Sequence, residues 1–303
     1  MNSRSGKSAK ADSKPVRIVA PYPFTYTFRV KPPETGTPLL DFLLRRFPFR
    51  NATGWEMRIN DGRILCNDAP ALPETLLKQG DLISHHNPRV TEPSVPDAVR
   101  ILEETDSWLI VYKPAPMPVH PGGRYQKNTL IEILGEMTDG PLHIIHRLDS
   151  VTSGLMLIGK NPEFSHKASL AFKHGDVEKA YFALCDGVPK DDAFSCDFGI
   201  RREKGYRFTC AEDGKQALTK FRTIKRGTAR SIIQCEPVTG RTHQIRLHLA
   251  ALGFPVYDDD VYRSDGGNLL QNTAISLQSS VLRIPALDVN YAIDVPSDWN
   301  DKL

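Results

Sequence analysis

The segment His146-Arg147-Leu148-Asp149-Ser150-Val151-Thr152-Ser153-Gly154-Leu155 sets one carboxylate in a polar turn between the apolar runs Ile144-Ile145 and Leu155-Met156-Leu157-Ile158. Strands flanking such a turn fix its position while its tip stays open to a ligand, so functional groups are common there. A carboxylate so placed can act as a nucleophile or stabilise a developing cation; equally, it can be a turn residue bonding nearby backbone amides. The cluster Gly240-Arg241-Thr242-His243-Gln244-Ile245-Arg246 opens a helix-like stretch, where Arg246, taken alone, reads as an exposed helix residue. Tyr181, in the apolar run Ala180-Tyr181-Phe182-Ala183-Leu184, reads alone as a core tyrosine. His143 and His146 form an H-x-x-H pair with no neighbouring Glu or further ligand, so no metal is expected. No G-x-x-x-x-G-K-[ST] or G-x-G-x-x-G loop occurs, so no nucleotide cofactor is expected either.

Taken together, these blocks change the reading. The chain matches HRLDxxTSGL at every defined position, and it resembles the RluA-type RNA pseudouridine synthases, whose signature this is. Three further blocks resemble the same family in the same order: the KPxxxxVHP segment from Lys113 to Pro121, Lys179 to Ala183, and Gly240 to Arg246. The resemblance implies isomerisation of uridine within RNA, in which the bond from N1 to ribose C1′ breaks, the base turns, and C5 bonds to C1′, with no cofactor. It implies that Asp149 is the catalytic carboxylate, that Arg246 pairs with it and favours its charged form, and that Tyr181 stacks on the target base. The target nucleotide has to leave the stack to be reached, and Arg147 matches an arginine that fills the vacated gap. His146 is expected to hold the loop. Arg241 and His243 are expected to touch phosphate or organise the loop, with a general base open to His243, and Gln244 is expected to bond structurally on this RNA-facing side. Attack at C1′, attack on the base and elimination through a glycal all stay open. Pro116 and Asp258 stand where many relatives carry glycine, and Ala274-Ile275-Ser276 where Leu-His-Ala is usual. The segment from Pro116 to Gly135 resembles the eukaryotic branch, which favours transfer RNA over ribosomal RNA as substrate. A non-catalytic RNA-binding protein is the main alternative; a glycoside hydrolase would need a second carboxylate.

Positioning these residues requires a sheet. The apolar runs at 108–112, 155–159 and 180–184 read as buried strands, and Thr129, Phe164 and Thr242 begin helix candidates. The expected class is α+β: a catalytic domain over 99–303 on a mixed, mainly antiparallel sheet, with a small N-terminal α+β module over 18–86. That module resembles a degenerate S4-type RNA-binding domain, with Arg45 and Arg46 on its helix and Gly80-Asp81 at a strand turn. Residues 1–17 read as a disordered basic tail and the Pro-rich 87–98 as an extended linker. With 39 basic against 36 acidic side chains and a net charge of +3, an RNA partner has to be met by a local groove rather than by global charge. The five scattered cysteines read as reduced and structural. No apolar run of ~18 residues or signal-like start is present, so an intracellular, cytoplasmic location, no membrane and no obligatory protein partner are expected.

Overall fold

The computed structural model describes residues 15–203, 207–263 and 273–303. Most of the basic tail therefore lies outside the described residues. The chain divides into two compact units, Val19–Glu92 and the described residues before and after it.

The larger unit begins with strand β1 (Val16–Arg17). The smaller unit then follows with β2 (Tyr22–Arg29), helices α1 (Leu39–Arg46) and α2 (Ala52–Asn60), β3 (Ile64–Cys66), β4 (Ala69–Pro70) and β5 (Leu82–Val90). Its strands pair antiparallel in the order β2-β5-β3-β4. Along β2 half-buried Tyr22, Phe24, Tyr26 and Phe28 alternate with exposed Pro23, Thr25, Thr27 and Arg29, the period of a one-sided strand. The inner face packs with Leu39, Phe42, Leu43, Trp55, Ile59 and Ile83 of α1, α2 and β5. Helix α2 is absent from the sequence reading, which places Ile59 and Asn60 in a strand segment. Thr53 and Gly54 lower its intrinsic propensity; Asn51 caps it by accepting from the Gly54 amide at 3.0 Å, and Trp55 and Ile59, one turn apart, fasten it to the core.

Both ends of the expected linker and tail are more ordered than composition suggests. Residues 87–90 belong to β5, and Val16 and Arg17 pair antiparallel with β6 (Val95–Pro96). Arg17 is further held by two hydrogen bonds to the Glu136 carboxylate at 2.8 and 2.6 Å. A two-residue ladder leaves no periodic signal, so proline content dominates the sequence reading there.

The larger unit continues with β7 (Arg100–Glu104), β8 (Trp108–Lys113), α3 (Leu130–Met137), β9 (His143–Ile144), β10 (Ser153–Gly159), α4 (Pro162–His174) and β11 (Glu178–Asp186). After these come β12 (Ala193–Cys196), β13 (Ile200–Arg202), β14 (Phe208–Cys210), β15 (Thr219–Arg226), β16 (Arg230–Pro237), α5 (Gln244–Ala251), β17 (Leu277–Ile284) and β18 (Val289–Ala292). The main sheet runs β12-β15-β16-β11-β17-β10-β8-β7, with β18 beside β17 and β9 beside β10. Its pairs are antiparallel except β10 with β17, which is parallel. This is the expected mixed, mainly antiparallel α+β architecture. Six consecutive residues of β10 are buried, the signature of a strand covered on both faces. Helix α4 is capped by Asn161, which accepts from the Phe164 amide at 2.9 Å, and ends on left-handed Gly175.

The start of β10 is fixed by a close approach between backbones. Gly154 has φ +113°, and a Cβ on it would stand 2.2 Å from the Ser279 carbonyl oxygen of β17. Only glycine permits that approach, so the parallel pairing of Ser153–Gly154 with Gln278–Ser279 sets the height at which the polar turn carrying Asp149 leaves the sheet.

Candidate active site

The turn ahead of β10 is anchored from below. Lys113, at the end of β8, is fully buried and donates to the carbonyls of Pro114, Met117 and Ser150 at 3.1, 2.9 and 3.2 Å. Three acceptors match the three protons of an ammonium. Burial pushes the Lys113 amine down to about 7, against the raising influence of the Asp149 charge. Met117 returns a bond from its amide to the Ser150 carbonyl at 2.8 Å, and the Thr152 amide bonds the Asp149 carbonyl at 3.1 Å. The backbone carbonyls of Asp149 and Ser150 are therefore fixed, while the Asp149 side chain stays 28% exposed.

Helix α5 brings Arg246 to this carboxylate. The guanidinium is 4% exposed, and its Nη1 lies 3.4 Å from Asp149 Oδ2. Its other edge makes a two-point bond to Asp259, Nε to Oδ2 at 2.6 Å and Nη2 to Oδ1 at 2.8 Å. The geometry is a fork gripping a carboxylate, and Asp259 also accepts from the Val261 amide at 3.2 Å. Burial lowers the Arg246 pKa, but Asp259 and then Asp149 raise it further than burial lowers it, so the arginine is held charged. Tyr262 lies against the same guanidinium, 4.8 Å from ring centre to Cζ.

The Tyr181 ring packs between two core clusters, one centred on β11 and β16 and the other on β8 and β10. Its hydroxyl shares a hydrogen bond with the Ser279 side chain. Burial pushes the phenol up to about 12, and the Asp149 charge adds to that rise, so Tyr181 lies in the electrostatic reach of the carboxylate.

The other expected site residues separate into two groups. Arg147 is exposed, as a residue free to enter a ligand would be. His146 points inward: its Nε2 accepts from the Leu157 amide at 3.0 Å, its ring stacks on Phe172 at 4.5 Å, and burial, followed by the nearby Lys179 charge, pushes it down to about 3. It is a neutral brace. Gln244 is also internal, accepting from Thr239 Oγ1 and the Arg241 amide at 2.7 and 2.9 Å and donating to Leu218 O and Thr219 Oγ1 at 2.9 Å each. All its bonding capacity is used within the protein. Arg241 is exposed, with Nε bonded to the Gln216 carbonyl at 2.9 Å. His243 stands beside Asp149, its Nε2 3.8 Å from Oδ2. In the smaller unit Arg46 is committed to Glu34 at 3.1 Å and lies over the rings of Phe28 and Phe42, whereas Arg45 is exposed.

Sequence reasoning passes over Lys113 as a functional group, and misses Asp259 and Tyr262 altogether. Asp259 sits among three consecutive acidic residues, Asp258-Asp259-Asp260, yet it is 1% exposed. The available signal is Arg246 itself, because a buried guanidinium carries five donors and one carboxylate does not satisfy them.

Residues 107–251 match the family model described as RNA pseudouridylate synthase. The chain is 32% identical over 264 residues to "tRNA pseudouridine(32) synthase, mitochondrial" of Saccharomyces cerevisiae, covering 84% of this chain and 57% of that one. It is 34% identical over 259 residues to "RNA pseudouridine synthase 7" of Oryza sativa, covering 82% and 66% respectively. Among solved structures, Human RNA Pseudouridylate Synthase Domain Containing 1 superposes with a TM-score of 0.58 at 26% identity, over 68% of this chain and 86% of that one. The chain thus spans less than two thirds of the length of these two curated relatives. The mixed, mainly antiparallel α+β fold of the chain matches that of this solved pseudouridylate synthase. The chain belongs to the RluA-type RNA pseudouridine synthase family.

Proposed function

We propose that this protein isomerises specific uridines to pseudouridine in structured RNA, transfer RNA in preference to ribosomal RNA, using Asp149 and no cofactor. The observation that carries the reading is the asymmetry of the site: Lys113, Asp259 and Gln244 are buried and fully engaged, while Arg147 is exposed and the Asp149 side chain stays 28% exposed. In the reaction the N1–C1′ bond breaks, the base turns, C5 bonds to C1′, the C5 proton leaves and N1 takes one up. Asp149 supplies the negative charge at which this begins, Arg246 holds that charge in place, the Tyr181 ring walls the base, and Arg147 fills the gap it leaves. The yeast relative is named for a transfer-RNA uridine, which supports the choice of substrate class. The cytoplasm is where we place the activity.

Recognition by the smaller unit completes this reading. Arg50, Arg58 and Arg63 gather near His85. Burial and then the charges of Arg50 and Arg63 lower the Arg58 pKa, while burial, followed by all three arginine charges, pushes His85 down to about 4. Asp61, 3.8 Å from Arg63, offsets part of this repulsion. Arg50 lies 5.3 Å from the Trp55 ring centre, and Arg63, Phe24 and His86 line an open cleft of about 690 Å³. Guanidiniums that repel one another beside aromatic edges suit a phosphate backbone with unpaired bases, so these three, with Arg45, are assigned the RNA contact.

The test is isomerisation of an RNA, read by mass after chemical labelling of pseudouridine. Asp149→Asn keeps the side-chain shape and removes the charge; it is expected to bind RNA and form no pseudouridine. Wild-type turnover by this variant would sink the assignment.

A further inference from the structure

The site holds one imidazole for which the resemblance supplies no fixed task. His243 precedes α5 with φ +57°, a left-handed conformation that a residue with a Cβ adopts only under local constraint. The conformation sets its ring between Asp149 and Tyr262. Nε2 lies 3.8 Å from Asp149 Oδ2, and Nδ1 lies 2.5 Å from the Tyr262 hydroxyl oxygen. The Phe208 amide donates to that same hydroxyl oxygen at 3.4 Å, and the Phe208 ring meets the imidazole edge-on at 5.5 Å.

These neighbours bear on where the ring proton sits. An amide can only donate, so the Tyr262 oxygen is an acceptor toward Phe208 and its own O–H is free to point at Nδ1. With that O–H directed at Nδ1, Nδ1 accepts and the ring proton resides on Nε2, facing the carboxylate. The charged and titratable groups around the ring are Asp149 from the turn, Arg246 from α5, and Asp259 and Tyr262 from the segment after α5. Burial and then the Arg246 charge disfavour an imidazolium, against Asp149 and Asp259, and the net direction is down from 6.5.

We propose that His243 is a positioning residue: a neutral imidazole, locked by Tyr262 in the tautomer with its proton on Nε2, that shares Asp149 Oδ2 with Arg246 and leaves Oδ1 as the reacting oxygen. This rests on Asp149 being the reacting group. Arg246 Nη1 and His243 Nε2 both address Oδ2, and Oδ1 has no hydrogen-bond partner among the described residues. Two donors addressed to one oxygen hold the carboxylate plane and occupy that oxygen, so the oxygen left open meets the nucleotide. At 3.8 Å the imidazole stands just beyond hydrogen-bond reach of Oδ2, and it is expected to close on that oxygen when a substrate excludes water from the turn.

Nitrogen-15 spectra of the full-length wild-type protein, with long-range couplings to the ring carbons' protons, read the tautomer without any variant and without turnover. The expected result at pH 7 is a neutral His243 protonated at Nε2; a proton on Nδ1, or an imidazolium, overturns the proposal whatever Asp149 does. Kinetics provide the second arm. In Tyr262→Phe the ring proton is free to move to Nδ1, which turns a bare Nε2 toward the anion. Turnover is then expected to fall about tenfold at pH 8, the effect of one lost hydrogen bond, with KM little changed. It should recover as pH falls below 6.5 and the ring gains its second proton. His243→Gln, which can still donate from the Nε2 position, is expected to retain more activity than His243→Ala. A Tyr262→Phe enzyme with the wild-type pH profile would overturn the proposal, whereas an active Asp149→Asn would instead remove the reading on which the choice of oxygen rests.

Discussion

Arg246 is the residue at which sequence and structure meet most closely. Its identity and its pairing with Asp149 follow from the family motif, but its dependence on Asp259 does not, because a bond between a helix and a later acidic run has no local pattern. Lys113 and Tyr262 are hidden for the same reason: their roles are defined by carbonyls and ring nitrogens that come together only in three dimensions. Arg246→Lys keeps the charge but cannot reproduce the two-point grip; with Asp259 left buried and half-paired, the expected loss is about 3–5 kcal/mol of stability, measured by denaturant unfolding, together with loss of activity. His146 gives a prediction in pH. Its folded pKa is depressed to about 3 from 6.5, so between those values the unfolded chain binds a proton that the folded one refuses. Its contribution therefore falls as pH drops below 6.5, by about 1.4 kcal/mol per pH unit. His146→Gln retains an acceptor for the Leu157 amide, and its unfolding free energy is expected to fall less steeply with pH over this window than that of the wild type.

Secondary elements are legible where their apolar periods are long. The strands around 108–112, 155–159 and 180–184 and the helices after Thr129 and Thr242 stand as read, because a continuous apolar run or a helical stripe reports burial directly. Helix α2 is not legible, since its cap and two apolar anchors outweigh a weak propensity only once the core exists. The left-handed positions hold a separate lesson. Asp258 has φ +66°, a conformation that glycine adopts without the steric cost of a Cβ. Gly154→Ala is the reverse case: with the Ser279 carbonyl in the way, a loss of ~3 kcal/mol or more is expected, and the displaced turn should cost turnover even in protein that stays folded.

For the molecule as a whole, the near-balance of charge says little, and the proposed RNA contact rests on the three arginines near His85. Replacing Arg50, Arg58 and Arg63 by Gln is expected to flatten the dependence of log affinity on log salt by about 0.7–0.9 for each phosphate that is no longer neutralised; an unchanged slope would place the RNA elsewhere. Excising Val19–Glu92 and joining Ile18 to Pro93 through a short Gly-containing turn keeps β1 and β6 intact. The product is expected to bind structured RNA more weakly and still turn over at saturating substrate, which separate fits of affinity and maximal rate will show. This topology is not readable from a Pro-rich stretch, because a paired neck and a free tether have similar composition. The pairing of Val16 with Pro96 also has a consequence during biosynthesis. At ~5–20 residues per second, the first strand emerges on the order of 5–15 s before its partner. An unfolded module would have to be closed as a long loop at an entropic cost that a folded one has already met. The smaller unit is thus expected to fold on the ribosome before the neck can zip, leaving β1 an unpaired strand for the whole of that interval.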